Sequence, residues 1–451
     1  MSYTARILVV GQEAGVFHDL AAKLAAFDCE ALAADDAAVA RAAVADQAPD
    51  VVIVDAKEEG TRGGHLSMDQ ALELIAGLKA DCGPHHPPVV LIGPPAGRGR
   101  GTAGFAAGAS VYLSKPYHDA QLLSRLRSLV RLATMNEELV RRTESLLEFG
   151  VDNPNLVSEK IATGESNVLV FAHEAEDCAI IEDLLTRSIK LTFAWSAGTA
   201  LDYLSAGQYE AVLMEANPDS SDPLVLIGDI RRNSRLFNIP VVAIADRDKL
   251  TNSSALFNAG VNDLVYRPLD SIELGARLQS FIYEERYRTA MRWAYRDSRH
   301  HLILDGLTEI YSHGFAYQHL GRQIADAGRW GKDLTVAVFN VRQMADINNE
   351  YGYACGDRVL RQMGNMIGLV IRGEDMPARI SGQEFIVSMP DTSTLGAQFV
   401  LPRIKGVLNA TEYFVPSRAE PVSARVRAGV ASYCDGDSPE TLIARARAAL
   451  I

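Results

Sequence analysis

The chain has 451 residues and a formal net charge of -13, with 48% hydrophobic and 22% charged residues. This length predicts about three domains, each able to bury its own core, and the acidic balance without a long basic run argues against nucleic acid as a partner. Scattered cysteines without CxxC spacing predict reduced thiols rather than a disulfide framework or a zinc site. The first residues predict neither a signal peptide nor a membrane anchor, so a cytoplasmic protein is expected.

Two segments repeat each other and fill the first two thirds of the chain. Apolar runs of buried-strand type end at Val10 and Asp55 in the first copy and at Val170 and Glu215 in the second, with equal spacing. Buried strands that alternate with Ala/Leu-rich helical segments predict βαβ units and a parallel sheet in each copy.

Two polar residues of the first copy stand at the ends of predicted strands. In parallel sheets, functional groups lie at the edge formed by the carboxyl ends of the strands. The two residues are Asp55 and Lys115, which precedes a proline. This pattern resembles the receiver domain of two-component response regulators, and the second copy resembles it less completely. The resemblance implies two doubly wound (βα)5 domains, at 1–135 and 166–290, with a helix and linker at 136–165.

A receiver accepts a phosphoryl group on its aspartate, next to Mg²⁺ held by an acidic pair after the first strand. The resemblance makes Asp55, with Lys115, a candidate phosphoacceptor. Gly11 and Gln12 replace the acidic pair, however, and Gly93 takes the usual Thr/Ser position. Because Mg²⁺ prefers anionic oxygen ligands, this site is expected to hold it poorly. The alternative is that Asp55 and Lys115 pair only for structure.

The second copy departs further from the receiver pattern. Glu215 stands at the acceptor position, Arg267 at the lysine, and Phe171 and Ala172 at the acidic pair. The resemblance therefore predicts a scaffold that is not phosphorylated.

Long amphipathic helical runs at 122–147 and 272–291 leave the two receiver-like units. Such helices can transmit movement or form a dimer seam, and packed connecting helices are the alternative. A homodimer through the receiver domains is expected.

The last third of the chain carries three short motifs. Residues 305–308 read Asp-Gly-Leu-Thr, residues 372–375 read Arg-Gly-Glu-Asp, and residues 381–385 read Ser-Gly-Gln-Glu-Phe. They resemble the DxLT, inhibitory RxxD and active-site GG(D/E)EF motifs of the GGDEF domain, which condenses two GTP into cyclic di-GMP. The resemblance implies an α+β, nucleotidyl-cyclase-like domain at 291–451.

The family's metal-binding positions are changed. They are the Asp that ends the first strand, here Asn340, and the acidic third residue of the active-site motif, here Gln383. Since a charge pair at ~4 Å and an effective dielectric of ~20 is worth roughly 4 kcal/mol, the loss of both carboxylates predicts that metal binds weakly or not at all. Ser381 at a glycine position, Ala345 at a common lysine position and the changed C-terminal motif at 446–451 point the same way. No catalytic residue, metal site or required cofactor is expected.

The inhibitory motif keeps both of its defining residues, Arg372 and Asp375, and in the family it binds cyclic di-GMP. The arginine fork can donate two hydrogen bonds to guanine O6 and N7, worth about 1–3 kcal/mol, and the aspartate can accept from guanine N1 and N2. Arg403 stands where the family often supplies a secondary arginine. Cyclic di-GMP is the expected ligand, and an exposed Arg372–Asp375 ion pair in a turn is the alternative.

Asn348 and Asp357 match the family's guanine-contacting pair. Both side chains can hydrogen-bond to guanine, which makes them candidates for residual GTP contacts. The alternative is that they stabilise turns, since Asn and Asp favour turns.

Two receiver-like domains followed by a GGDEF domain resemble response regulators of bacterial cell-cycle control. The expected function is a non-catalytic cyclic di-GMP effector or adaptor that recruits other signalling proteins, without membrane insertion, and that is itself recruited to a subcellular site such as the cell pole. Two alternatives stay open. They are a weak diguanylate cyclase and a receiver scaffold that is switched by phosphorylation of Asp55 without ligand binding.

Overall fold

A computed structural model describes most of the chain as two compact units. The receiver unit combines Thr4–Ala133 with Lys160–Tyr287, and the C-terminal unit combines Met1–Tyr3 and Thr134–Glu159 with Arg288–Ile451. No helix in the described part of the chain is long and apolar enough to cross a lipid bilayer. The described residues are 5–11, 14–27, 29–56, 66–82, 86–94, 100–115, 117, 119–150, 166–172, 175–185, 189–216, 222–233, 236, 239–246, 248–250, 253–271, 274–275, 277–283, 285–286, 303–415 and 420–451.

The first receiver-like domain is a five-stranded parallel sheet in the order β2-β1-β3-β4-β5. Its central strands are buried, which explains why they read as continuous apolar runs in the sequence. Its elements are β1 (Ala5–Val10), α1 (Ala14–Ala25), β2 (Cys29–Ala34), α2 (Ala37–Gln47), β3 (Val51–Asp55), α3 (Met68–Cys82), β4 (Val89–Gly93), α4 (Arg100–Ala107), β5 (Val111–Ser114) and α5 (Asp119–Glu148).

The second receiver-like domain repeats the strand order of the first, as β7-β6-β8-β9-β10, and all its strands are parallel. The predicted repeat of two doubly wound domains is therefore confirmed. Its elements are β6 (Ser166–Phe171), α6 (Ala175–Leu185), β7 (Ile189–Ala194), α7 (Ala197–Ala206), β8 (Ala211–Glu215), α8 (Asp222–Arg232), β9 (Val241–Ala245), α9 (Ser253–Ala259) and β10 (Asp263–Tyr266).

A buried carboxylate links the two receiver-like domains within their unit. Asp263, at the start of β10, contacts Arg125 of α5 and accepts from Arg277 Nη1 at 2.8 Å. The Arg125 guanidinium also lies 4.8 Å from the Phe281 ring centre. A buried charge is tolerated where opposite charges surround it, as here.

The C-terminal domain is built on an antiparallel sheet in the order β12-β13-β11-β16. Buried apolar clusters cover both faces of this sheet, so the predicted α+β class is confirmed. Its elements are α10 (His313–Trp330), β11 (Leu334–Val341), α11 (Met344–Tyr351), α12 (Tyr353–Val370), β12 (Met376–Ser381), β13 (Glu384–Pro390), α13 (Thr394–Ala410), β14 (Glu412–Tyr413), β15 (Val422–Ser423), β16 (Val426–Ser432) and α14 (Pro439–Ala448).

The second half of α5 packs within the C-terminal unit. Leu146 lies in the same buried cluster as Ile303 and Phe315, and the Phe149 and Phe315 ring centres lie 5.5 Å apart. An apolar stripe of α5 therefore faces α10, and charged residues of α5 lie beside this stripe.

Candidate functional site

The RxxD motif forms a short loop between the end of α12 and the start of β12. The Arg372 backbone N–H donates to Asp375 Oδ2 at 2.8 Å, which closes the loop. Asp375 is only 1% exposed, whereas Arg372 is exposed to solvent. The loop therefore presents a guanidinium to solvent above a buried carboxylate.

Burial perturbs the carboxylate of this loop. Desolvation and the neighbouring Glu374 raise the pKa of Asp375 to about 7, although the charge and amide of Arg372 and the charge of Arg142 oppose the shift. Glu374 is itself buried. Two adjacent buried acids cost folding free energy, and such costs are concentrated at functional sites.

The structure brings the third predicted ligand residue to the same place. Arg403 of α13 is exposed, and its Nη2 donates to the carbonyl oxygen of Val370, two residues before Arg372, at 2.9 Å. Two guanidinium groups therefore stand at one end of α12, beside the buried carboxylate of Asp375.

The altered active-site positions also lie together. The strand register pairs Asn340 of β11 with Glu384 of β13, and the Val341 N–H donates to the carbonyl oxygen of Gln383 at 3.1 Å. Ser381 pairs with Glu384 across the turn that joins β12 and β13, and Ser381 is exposed. Residues with amide and hydroxyl side chains are thus the strand neighbours of the one acid that the motif retains.

That remaining acid is held by an arginine that the sequence analysis missed. Arg447 of α14 donates from Nε and Nη2 to the two carboxylate oxygens of Glu384, each at 2.8 Å. The hydrogen bond to Glu384 raises the pKa of Arg447 despite partial desolvation. Glu384 is 5% exposed, so the charge of a buried carboxylate is neutralised by a bidentate, half-exposed cation. The signal was available, because Arg447 stands where the family's C-terminal motif has an aspartate.

A second ion pair, between Asp305 and Arg379, holds the turn that joins β12 and β13. Asp305 accepts from Thr308 N at 2.9 Å and pairs with Arg379 Nη1 at 3.0 Å, and Arg379 Nη2 donates to the carbonyl oxygen of Gly382 at 2.8 Å. Burial raises the pKa of Asp305, but the hydrogen bonds from Thr308 and Arg379 outweigh it and lower the pKa below its ordinary value. The DxLT segment therefore still positions the active-site turn.

The two candidate guanine-contacting residues lie in helices, so the interpretation of them as turn residues is wrong. Asn348 is in α11 and Asp357 is in α12, where it is exposed. A Cβ built on Gly356 would lie 2.0 Å from Asn348 Oδ1, so the amide fits only against a glycine. Asn348 Oδ1 is buried and has no hydrogen-bond partner among the described residues.

In the first receiver-like domain, Asp55 and Lys115 form an ion pair in which the Asp55 side chain is 4% exposed and the Lys115 side chain 40% exposed. The Thr/Ser position, Gly93, has no space for a side chain, because a Cβ there would lie 2.7 Å from Tyr112 Oη. Tyr112 in turn donates to the carbonyl oxygen of Pro94 at 2.6 Å. The predicted loss of the hydroxyl at this position thus coincides with a tyrosine that fills the space.

The metal positions of the receivers are described only in part. A Cβ built on Gly11, which has φ +85°, would lie 3.1 Å from the carbonyl oxygen of Asp55. Gln12 lies outside the described residues. In the second copy Arg267 Nη2 lies 3.4 Å from Glu215 Oε1. Both copies therefore keep an acid–base pair at the same edge of the sheet.

Comparison with known proteins places these sites in a family context. Residues 302–451 match the model described as "Diguanylate cyclase, GGDEF domain". The chain is 28% identical to the response regulator PleD of Caulobacter vibrioides over 444 residues, 98% of this chain and 95% of the relative. It is 28% identical to the diguanylate cyclase DgcP of Pseudomonas aeruginosa over 182 residues, 40% of this chain and 27% of the relative.

Among solved structures, the GGDEF domain of DgcB from Caulobacter crescentus in complex with c-di-GMP is 26% identical. It matches with a TM-score of 0.32 and covers 33% of this chain and 86% of that one. The sheet topologies and the sequence matches agree: the segment that matches the GGDEF model follows two receiver-like domains, and the chain is similar to the response regulator PleD along nearly its whole length.

Proposed function

We propose that this protein is a non-catalytic effector that binds cyclic di-GMP at the RxxD loop and acts by recruiting other signalling proteins. One contrast carries the proposal. Arg372 is presented to solvent by an intact, closed loop, whereas the acid of the active-site motif, Glu384, is occupied by Arg447.

The RxxD loop has the groups that a guanine base needs. The Arg372 fork can donate to O6 and N7, and Arg403 stands close by to contact a second base or a phosphate. The Asp375 carboxylate is the acceptor that suits guanine N1–H and N2–H.

The active-site residues do not fit a divalent cation. Asn340 and Gln383 supply neutral amide oxygens, and the charge of Glu384 is already balanced by the Arg447 guanidinium. Mg²⁺ and Mn²⁺ need anionic oxygens to hold them beside a triphosphate, so these residues do not support cyclisation of GTP.

In the proposed role the protein works in bacterial cell-cycle signalling. The combination of changed catalytic positions with an intact RxxD motif resembles the enzymatically inactive PleD paralogue PopA. We infer a cytoplasmic homodimer, formed through the receiver-like domains and recruited to a subcellular site such as the cell pole. Ligand binding would then shift which surface meets the partner proteins.

The ligand assignment is tested by calorimetry with cyclic di-GMP on the full chain. The wild type is expected to bind, and Arg372→Ala to weaken binding by at least about tenfold, because it removes two hydrogen bonds to a base edge. Arg358→Ala, which removes an exposed arginine from α12, the helix that precedes the RxxD loop, is the matched control and is expected to bind like the wild type.

Two other outcomes would favour the alternatives. Absence of binding by the wild type, together with phosphoryl transfer to Asp55 that Asp55→Asn removes, would favour the phosphorylation-switched scaffold, whose supporting observation is the Asp55–Lys115 pair. Formation of cyclic di-GMP from GTP with Mg²⁺ or Mn²⁺, detected by chromatography, would favour the weak cyclase.

The triple substitution Asn340→Asp, Gln383→Glu and Arg447→Asp is expected to create a binding site for Mn²⁺. It adds three carboxylates around Glu384 and removes the guanidinium that neutralises that residue. The measurement is a Mn²⁺ titration followed by calorimetry, in which the wild type should give no specific signal.

A matched control keeps the same change in net charge. It combines Asn340→Asp and Gln383→Glu with Arg445→Asp, because Arg445 pairs with Asp437 instead of Glu384. Mn²⁺ binding of equal strength in the two triple variants would show that Arg447 does not block the site.

A further inference from the structure

The backbone of the RxxD loop is held by a residue far away in the sequence. Arg142 of α5 donates from Nη2 to the carbonyl oxygens of Glu374 and Asp375, at 2.9 and 3.1 Å. Its side chain is 1% exposed, so these hydrogen bonds are shielded from water. One guanidinium thus holds the carbonyl groups of two successive loop residues, Glu374 and Asp375.

Arg142 is itself held in place from the other side. Its Nε donates to Glu138 Oε1 at 2.7 Å, and Glu138 is completely buried. Glu138 also contacts His319 Nε2 of α10 at 2.8 Å. The guanidinium therefore donates from Nε to a carboxylate of its own helix and from Nη2 to the RxxD backbone, a geometry that a planar fork supplies and an ammonium does not.

The position of Arg142 also affects the charge of the loop. Its guanidinium is among the groups that lower the pKa of Asp375 against the effects of burial and Glu374. A cation at the carbonyl side of the loop therefore favours the ionised carboxylate, which is the form that accepts hydrogen bonds from guanine.

We propose that Arg142 is a positioning residue of the RxxD site, which orders the 374–375 backbone for cyclic di-GMP and couples binding of the ligand to the second half of α5. The inference rests on the proposed function, because it concerns the same ligand. Coupling is reciprocal: if α5 orders the loop, then a ligand that orders the loop stabilises α5. Ligand binding should therefore be visible in the helix, although the helix does not belong to the motif.

The test compares two arginine-to-lysine variants of the full chain. Arg142→Lys keeps the charge but cannot reach Glu138 and both carbonyls at once. Arg141→Lys is the matched control, since Arg141 is the next residue, also contacts Glu138, and pairs with Asp326 instead of the loop. Arg142→Lys is expected to raise the Kd for cyclic di-GMP by at least about tenfold, the equivalent of one lost charge-assisted hydrogen bond, whereas Arg141→Lys leaves it unchanged.

A second readout separates positioning from general stability. In the wild type, cyclic di-GMP is expected to slow hydrogen exchange of the backbone amides at 138–145, and this protection should persist in Arg141→Lys and disappear in Arg142→Lys. The wild-type experiment needs no variant, so it remains decisive if Arg142→Lys does not fold.

The possible outcomes separate the two proposals. A wild type that binds cyclic di-GMP without any change in exchange along α5 overturns the role of Arg142 and leaves the ligand assignment intact. Equal rises in Kd for Arg141→Lys and Arg142→Lys overturn it as well, because they would show a purely structural effect. A wild type that does not bind cyclic di-GMP overturns both proposals.

Discussion

Glu138→Gln is expected to lower the free energy of unfolding of the C-terminal unit by about 3–5 kcal/mol, the usual cost of breaking a buried ion pair on one side. Glu138 is completely buried and contacts Arg141 and Arg142 on its own helix, as well as His319 and Gln323 of α10. Glutamine has nearly the same shape but no charge, so two buried guanidinium groups would lose their counterion. The loss should be measured at neutral pH by urea titration, with hydrogen exchange of the α10 amides as the probe.

The charge state of Glu138 sets the pH at which this measurement is informative. Burial raises the pKa of Glu138, but the hydrogen bond from His319 and the charges of the two arginines outweigh burial and hold it well below its ordinary value. A carboxyl whose pKa is lowered by folding contributes stability above its unfolded pKa and loses it as the pH falls through the folded one. The difference between wild type and variant is therefore full at pH 7 and shrinks in strong acid.

Glu137→Gln is the matched control for Glu138→Gln. Glu137 is the preceding residue and accepts from Lys332 Nζ at 2.8 Å, but its side chain is 41% exposed. Although Lys332 is buried, water still reaches a carboxylate exposed to that extent, so the expected loss is about 1 kcal/mol and smaller than for Glu138. Equal losses in the free energy of unfolding of the two variants would show that the burial of Glu138 does not determine how much its ion pairs stabilise the protein.

The sequence predicted the fold class well because its strongest signals are local. Apolar runs ending at Val10 and Asp55 are buried strands, and the same spacing recurs before Glu215, which also ends a strand. Strands of a parallel sheet are covered on both faces, so continuous apolar runs identify them without knowledge of their partners. The resemblance then supplied what local patterns cannot, namely the α+β class of the last domain.

The sequence could not predict the charged network around the RxxD loop. Arg142 and Glu374 are 232 residues apart, and a helical pattern indicates which face is apolar without naming its partner. Charged residues such as Glu138 and Arg141 would ordinarily face solvent in a long amphipathic helix. Their burial depends on α5 packing against α10, which is a tertiary event.

The Arg447–Glu384 contact was predictable only in part. The change from the family's aspartate to Arg447 is visible in the sequence, but the contact requires α14 to lie close against β16. Gly429 permits this approach, because a Cβ at that position would lie 2.4 Å from the carbonyl oxygen of Ala446. The replacement of an aspartate by Arg447 is therefore visible in the local sequence, whereas the contact of Arg447 with Glu384 is not.

Asp375→Asn is expected to stabilise the C-terminal unit by about 1–4 kcal/mol at pH 8 and to leave its stability unchanged below about pH 4. Burial and Glu374 raise the pKa of Asp375 to about 7 in the folded protein, against about 3.9 in the unfolded chain. The folded state therefore binds this proton more tightly, so stability is highest when the carboxyl is protonated and falls as the pH rises from about 4 to about 7. Asparagine mimics the protonated form and still accepts from the Arg372 amide. Urea titrations across this pH range measure the difference.

The same substitution is expected to weaken cyclic di-GMP binding at pH 8, because an amide oxygen is a poorer acceptor than a carboxylate for guanine N1–H and N2–H. Asp346→Asn, which changes an exposed acid of α11, should alter neither the stability profile nor the affinity. A variant Asp375→Asn that matches the wild type in stability at pH 8, or that binds the ligand as tightly, would contradict the assignment. The proposed function gives this buried acid, which destabilises its own fold at neutral pH, a role in ligand recognition, since the loop closure it provides needs no charge.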